Sequence, residues 1–103
     1  MTNTDKIEKM IQDKHLTAPR ITPEDITDSI VKDAYYVFPG TQTTICLLTL
    51  SNGFTVTGES ACASPENFNE EIGREIARDN AKDKIWVLLG FALKEKLAME
   101  HKK

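Results

Sequence analysis

The chain has 103 residues, of which 40% are hydrophobic and 28% charged, a length and composition suited to one small globular domain. Thirteen Lys and Arg stand against 16 Asp and Glu, a formal charge of -3, so there is no overall positive field to draw in a nucleic-acid polymer. No apolar run approaches the roughly 20 residues needed to cross a bilayer, and the polar start MTNTDKIEKM is unlike a signal peptide, so the protein is expected to be soluble and cytosolic, without a membrane partner.

Residues 1–21 carry Ile7, Met10 and Ile11 at helical spacing but too few apolar positions to anchor themselves, so an N-terminal mobile arm or short docking helix is expected there. Residues 22–103 read as a single α+β domain. It opens with Thr22-Pro23-Glu24-Asp25, a helix start that combines a capping hydroxyl, a proline whose missing N–H costs nothing, and acids at the positive end of the helix dipole. Ile26, Ile30 and Val31 are expected to form the buried stripe of that helix, which should stop near Asp33. Ala34–Phe38 favours a strand, and Pro39-Gly40 a turn.

Thr43–Leu50 predicts a second strand, with Ile45, Leu47 and Thr49 on one face and Cys46, Leu48 and Leu50 on the other, both partly buried. Asn52-Gly53 marks a hairpin, and Phe54–Ser60 the returning strand, in which Gly58 is expected to mark a bulge. Ser64-Pro65-Glu66 repeats the helix-start pattern. From there to about Met99 the recurrence of Phe68, Ile72, Ile76, Ile85, Leu89, Leu93 and Leu97 predicts one long helix, unless Gly73 or Gly90 bends it. Such a helix runs ~45 Å at 1.5 Å per residue, more than a domain this small can cover, so part of it must project or pack on another copy. The predicted fold is therefore a short antiparallel sheet, meander or hairpin, with an N-terminal helix and one long C-terminal helix, in an oligomer.

Along the long helix Arg74, Arg78 and Lys82 form a basic i, i+4 stripe beside Glu71, Glu75, Asp79 and Asp83. Pairs three apart, Glu71 with Arg74, Glu75 with Arg78 and Asp79 with Lys82, are the ordinary arrangement of a solvated helix face. The alternative is that the two guanidinium forks face a phosphate or a base, with an aromatic such as Phe54 stacking beside them. Catalytic signatures are missing: there is no phosphate loop, no nucleophile elbow and no H-E-x-x-H pair, so no enzymatic activity is expected. Glu59-Ser60-Ala61-Cys62 reads as a strand-to-helix connection, and Tyr35, Tyr36 and Trp86 as packing residues. Cys46 and Cys62 read as free thiols, and His15 and His101 lie too far from other ligands to suggest a metal site.

The stretch NGFTVTGESACASPENFNEEIGREIARDNAKDKIW, with the TPEDI helix start before it and the apolar I-W-x-L-x-G ending, resembles the signature of a family of small tailed-phage proteins over about Pro23–Leu97. That family is similar in turn to the Thoeris anti-defence sponges, phage products that bind the cyclic ADP-ribose isomers made by bacterial TIR-domain enzymes, some of which also hold cyclic oligonucleotides. The resemblance implies a dimer or hexamer that encloses its ligand where subunits meet, with no cofactor and no cleavage, in the cytoplasm of an infected bacterium. Phe54, Arg74, Arg78 and Lys82 are the ligand-binding residues it suggests. The other expectation is a phage protein-protein adaptor or host-takeover protein that takes no small ligand.

Overall fold

The computed structural model describes residues 3–14 and 18–101. Helix α1 (Asn3–Asp13) precedes α2 (Pro23–Ser29), three strands β1 (Ile30–Val37), β2 (Thr43–Leu50) and β3 (Thr55–Ala61), a 3-10 turn at Pro65–Asn67, and α3 (Glu70–His101). The strands form an antiparallel meander in the order β1-β2-β3. The fold is thus α+β, with the N-terminal helical segment, short sheet and long C-terminal helix that the sequence predicts.

Helix α2 begins where its chemistry dictates. Thr22 Oγ1 accepts from the Asp25 amide at 3.2 Å while Asp25 Oδ2 accepts from the Thr22 amide at 2.9 Å, which satisfies two amides that the helix cannot pair itself. The helix ends earlier than expected. Ile30 already has extended backbone and pairs with Leu50, so Ile30 and Val31 open β1 instead of completing a helical stripe, and Val31 is 63% exposed. Their branched side chains suit either state locally, and pairing with β2 decides. The register shift of the sheet falls between Ile30 and Lys32, so the bulge lies there and not at Gly58.

On β2 the alternation is clean. Thr44, Cys46, Leu48 and Leu50 are buried beneath α3, whereas Ile45 and Thr49 are half-buried and Leu47 is exposed. The β2–β3 turn relies on Gly53 at φ 90°, a conformation that costs glycine nothing, and the Leu50 amide donates to the Phe54 carbonyl at 2.8 Å. Phe54 therefore closes the turn, and β3 starts one residue later.

Helix α3 takes its cap from Asn69, whose Oδ1 accepts from the Ile72 amide at 3.0 Å, while Ser64-Pro65-Glu66 opens the short 3-10 turn. It runs unbroken for 32 residues through Gly73 and Gly90, roughly 48 Å at 1.5 Å per residue, and sets the molecule's 56 Å length. Its inward stripe is Gly73, Ala77, Ala81 and Ile85, while Ile72 and Ile76 stay exposed, contrary to the predicted stripe. The reason lies at Gly58. A Cβ there would stand 2.2 Å from the Ala81 amide nitrogen and 2.3 Å from the Ala77 carbonyl oxygen. Helix and strand backbones touch, so only small residues fit between them. Ile26, Cys46, Leu48, Leu50, Val56 and Ile85 fill the rest of the core, with Trp86 and Leu89 packed at its margin.

Candidate functional site

Arg78 leaves α3 beside Ala77 and reaches β1. Its Nη1 donates to Asp33 Oδ2 at 3.0 Å and to the Tyr35 hydroxyl at 3.4 Å, and that hydroxyl donates to the same Asp33 oxygen at 3.0 Å. The register places Asp33 and Tyr35 opposite Leu48 and Cys46, on the face that looks toward α3. Burial pushes the Tyr35 hydroxyl and the neighbouring Cys46 thiol above their ordinary values. The hydrogen bond to Tyr35, supported by the Asp33 charge and opposed by burial, holds Arg78 even more firmly protonated than usual. Arg78 thereby ties the long helix to a strand that α3 otherwise leaves largely uncovered.

Arg74 pairs loosely with Glu70, 3.8 Å away at i, i+4 spacing and exposed on both sides. Neither arginine takes the partner three residues away that the charge stripes suggest. Lys82 lines a cavity of ≈ 430 Å³ among Asp79, Asp83 and Trp86 of α3, Ile26 of α2 and Thr4 of α1. Phe54 borders a different, open groove of ≈ 440 Å³ with Thr55, Thr57, Lys84, Val87 and Leu88. The four residues suggested by the resemblance are thus spread over separate surroundings, and neither of these cavities takes in two of them.

Phe54 is 56% exposed at the hairpin tip, and Lys84 lines the same groove. An aromatic ring and a lysine that line one groove can stack a planar ring and neutralise an anion attached to it. Lys84 escapes a reading by stripes because it lies two residues past Lys82, about 200° round the helix from it at 100° per residue. Only the folding of the hairpin onto α3 brings it to the groove that Phe54 borders.

A third cavity of ≈ 440 Å³ lies between the end of β3 and the start of α3, lined by Ser60, Cys62, Phe68, Ile72, Ile76 and Asn80 among others. Three of its polar side chains are engaged: Ser60 Oγ donates to the Gly73 carbonyl at 3.0 Å, Asn80 Nδ2 to the Glu59 carbonyl at 2.8 Å, and the Cys62 thiol to the Ser64 carbonyl at 3.2 Å. Glu59–Cys62 is accordingly the end of β3 and its link towards α3. Both cysteines are free thiols. His101 is exposed near the end of α3, and His15 lies outside the described residues.

No helix among the described residues is long and apolar enough to cross a membrane. The sequence model of the Phage protein (N4 Gp49/phage Sf6 gene 66) family matches residues 21–97, and the chain belongs to that family. No curated protein and no solved structure matches the chain.

Proposed function

We propose that this phage-family protein is an anti-defence sponge. It binds a small cyclic nucleotide, a cyclic ADP-ribose isomer in the first instance and cyclic oligonucleotides as a wider class, and withholds it from a host immune effector without cleaving it. The observation that carries this reading is the exposed Phe54 ring on an open groove that Lys84 also lines. The ring offers a stacking face to the base and the ammonium a counter-charge to the phosphates. Arg74, whose ion pair with Glu70 is loose and exposed, can turn toward a bound anion, whereas Arg78 is committed to Asp33 and Tyr35. The protein acts as a homo-oligomer in the cytoplasm of the infected bacterium, and a second copy closes the groove that one copy leaves open. No cofactor, metal or catalytic group takes part, because sequestration depends on affinity and copy number and not on turnover.

A melt with a cyclic ADP-ribose isomer at about 100 times Kd should raise Tm by about 10 °C. Heat denaturation should return the nucleotide intact, and Phe54→Ala or Lys84→Ala should reduce the shift. A melt that ignores every cyclic nucleotide offered, or recovery of altered nucleotide, sinks the reading. A second reading, a protein-protein adaptor, is favoured by the outer face of the sheet, where Tyr36, Phe38 and Leu47 are exposed and the two rings meet edge to face at 4.9 Å. It requires a defined polypeptide bound at fixed stoichiometry and released by Tyr36→Glu.

A further inference from the structure

Helix α1 lines a groove with Thr4, Ile7, Glu8 and Ile11, a stripe at i, i+3, i+4 and i+7, and Ile21 and Trp86 stand across from it. The fit is poor. A cavity of ≈ 370 Å³ lies between the two sides, a second of ≈ 430 Å³ shares Thr4, Asp83 and Trp86 with it, and Ile7 is left 56% exposed. The charges of the groove are met no better than its volume. Arg20 pairs through Nη2 with Glu8, but its Nη1 is buried and has no partner among the described residues. Asp79 and Asp83, one turn apart on α3, both line the larger cavity, and neither forms an ion pair among the described residues.

We propose that α1 is a displaceable cover and that the groove beneath it docks an amphipathic helix of another polypeptide. That helix carries leucine or an aromatic residue where α1 has Ile7 and Ile11, which fills the space beside Trp86. It has an acid where α1 has Glu8, held by both terminal nitrogens of Arg20, and a lysine or arginine where α1 has Thr4, beside Asp79 and Asp83. The occupant is a helix because α1 itself already lies in the groove with the spacing such a partner needs. It is a different polypeptide because a second copy would bring the same threonine and isoleucines, which leave the cavities and both aspartates unmatched. Being tethered, α1 holds the groove by proximity despite its loose fit, and a better-matched helix replaces it. This surface uses neither Phe54 nor Lys84, so the inference stands apart from the nucleotide reading.

Trp86 is the single tryptophan of the chain, so its emission reports the groove. The probe is a synthetic peptide of residues 1–14 carrying T4K, I7F and I11F, titrated into the full chain without nucleotide. It should change Trp86 emission with a Kd below about 100 μM, and the unaltered peptide should bind at least about tenfold more weakly. In the E8R chain α1 meets Arg20 with like charge and is released, so the probe should bind about tenfold more tightly than to the wild type. D83K, at an exposed position of α3, should weaken the probe about tenfold with an unchanged circular dichroism spectrum. No emission change with either chain, equal affinity of the two peptides, an E8R chain that binds no more tightly, or a D83K chain that binds as well as the wild type overturns the proposal. An E8R chain that gains a subunit over the wild type in sedimentation without the probe also overturns it, by making a second copy the occupant.

Discussion

Cys46 sits at 0% exposure on the middle strand, under α3 and beside Tyr35, and burial makes its thiolate costly. Both groups hold their protons to higher pH in the folded chain than in the unfolded one. The unfolded state therefore releases protons first, and stability present below the ordinary thiol value of 9.0 is lost as pH rises past it. Thermal melts at pH 8 and pH 10 should show a lower Tm at the higher pH. In Cys46→Ala the fall should begin nearer the ordinary tyrosine value of 10.0, where Tyr35 alone remains. The sequence places Cys46 on one of two strand faces that both read as partly buried, and its tyrosine neighbour lies on another strand. The same limit applies to Arg78, which pairs 45 residues away with Asp33. Acids at helical spacing beside it suggest local pairs, and the helix face it occupies instead turns it toward β1.

Between elements, the contact of α3 with β3 is the most constrained in the molecule. Gly58→Ala would place a methyl group into the Ala77–Ala81 backbone, which a flexible neighbour cannot relieve, and should cost about 3 kcal/mol. A denaturant melt should show this as an unfolding midpoint moved to lower concentration at unchanged slope. A glycine in a strand pattern suggests either a bulge or a close approach, and the residues around Gly58 do not separate the two. The choice rests on Ala77 and Ala81, about twenty residues further on, and it also explains why the larger Ile72 and Ile76 are turned outward. Elements whose signals are local were fully legible. The Thr22 cap with Pro23, the Asn52-Gly53 turn and the alternation of β2 all form where their side chains dictate. The end of α2 was not, because the branched pair Ile30-Val31 serves a helix or a strand and only its β2 partner settles it.

At the scale of the whole molecule, the core joins the sheet, α2 and α3, and among the described residues no side chain of α1 is one of its buried members. Helix α1 is tied by the ion pair between Glu8 and Arg20 and borders cavities beside Trp86, with Ile7 and Met10 largely exposed. Removal of residues 1–20, which precede the family match, should therefore leave the circular dichroism spectrum of a folded α+β domain and lower Tm by no more than about 5 °C. Loss of the cooperative melt in the shortened chain would show instead that α1 belongs to the folding unit.

The order of strands and helices, the length of α3 and the family to which the chain belongs could be read from the sequence by itself, because caps, turns, alternation and signature motifs are properties of neighbouring residues. Which face of α3 is buried, where Arg78 finds its partner and which lysine shares a groove with Phe54 were decided only by tertiary structure. Each depends on two segments remote in the chain, and on a single glycine whose missing side chain lets a helix rest on a strand.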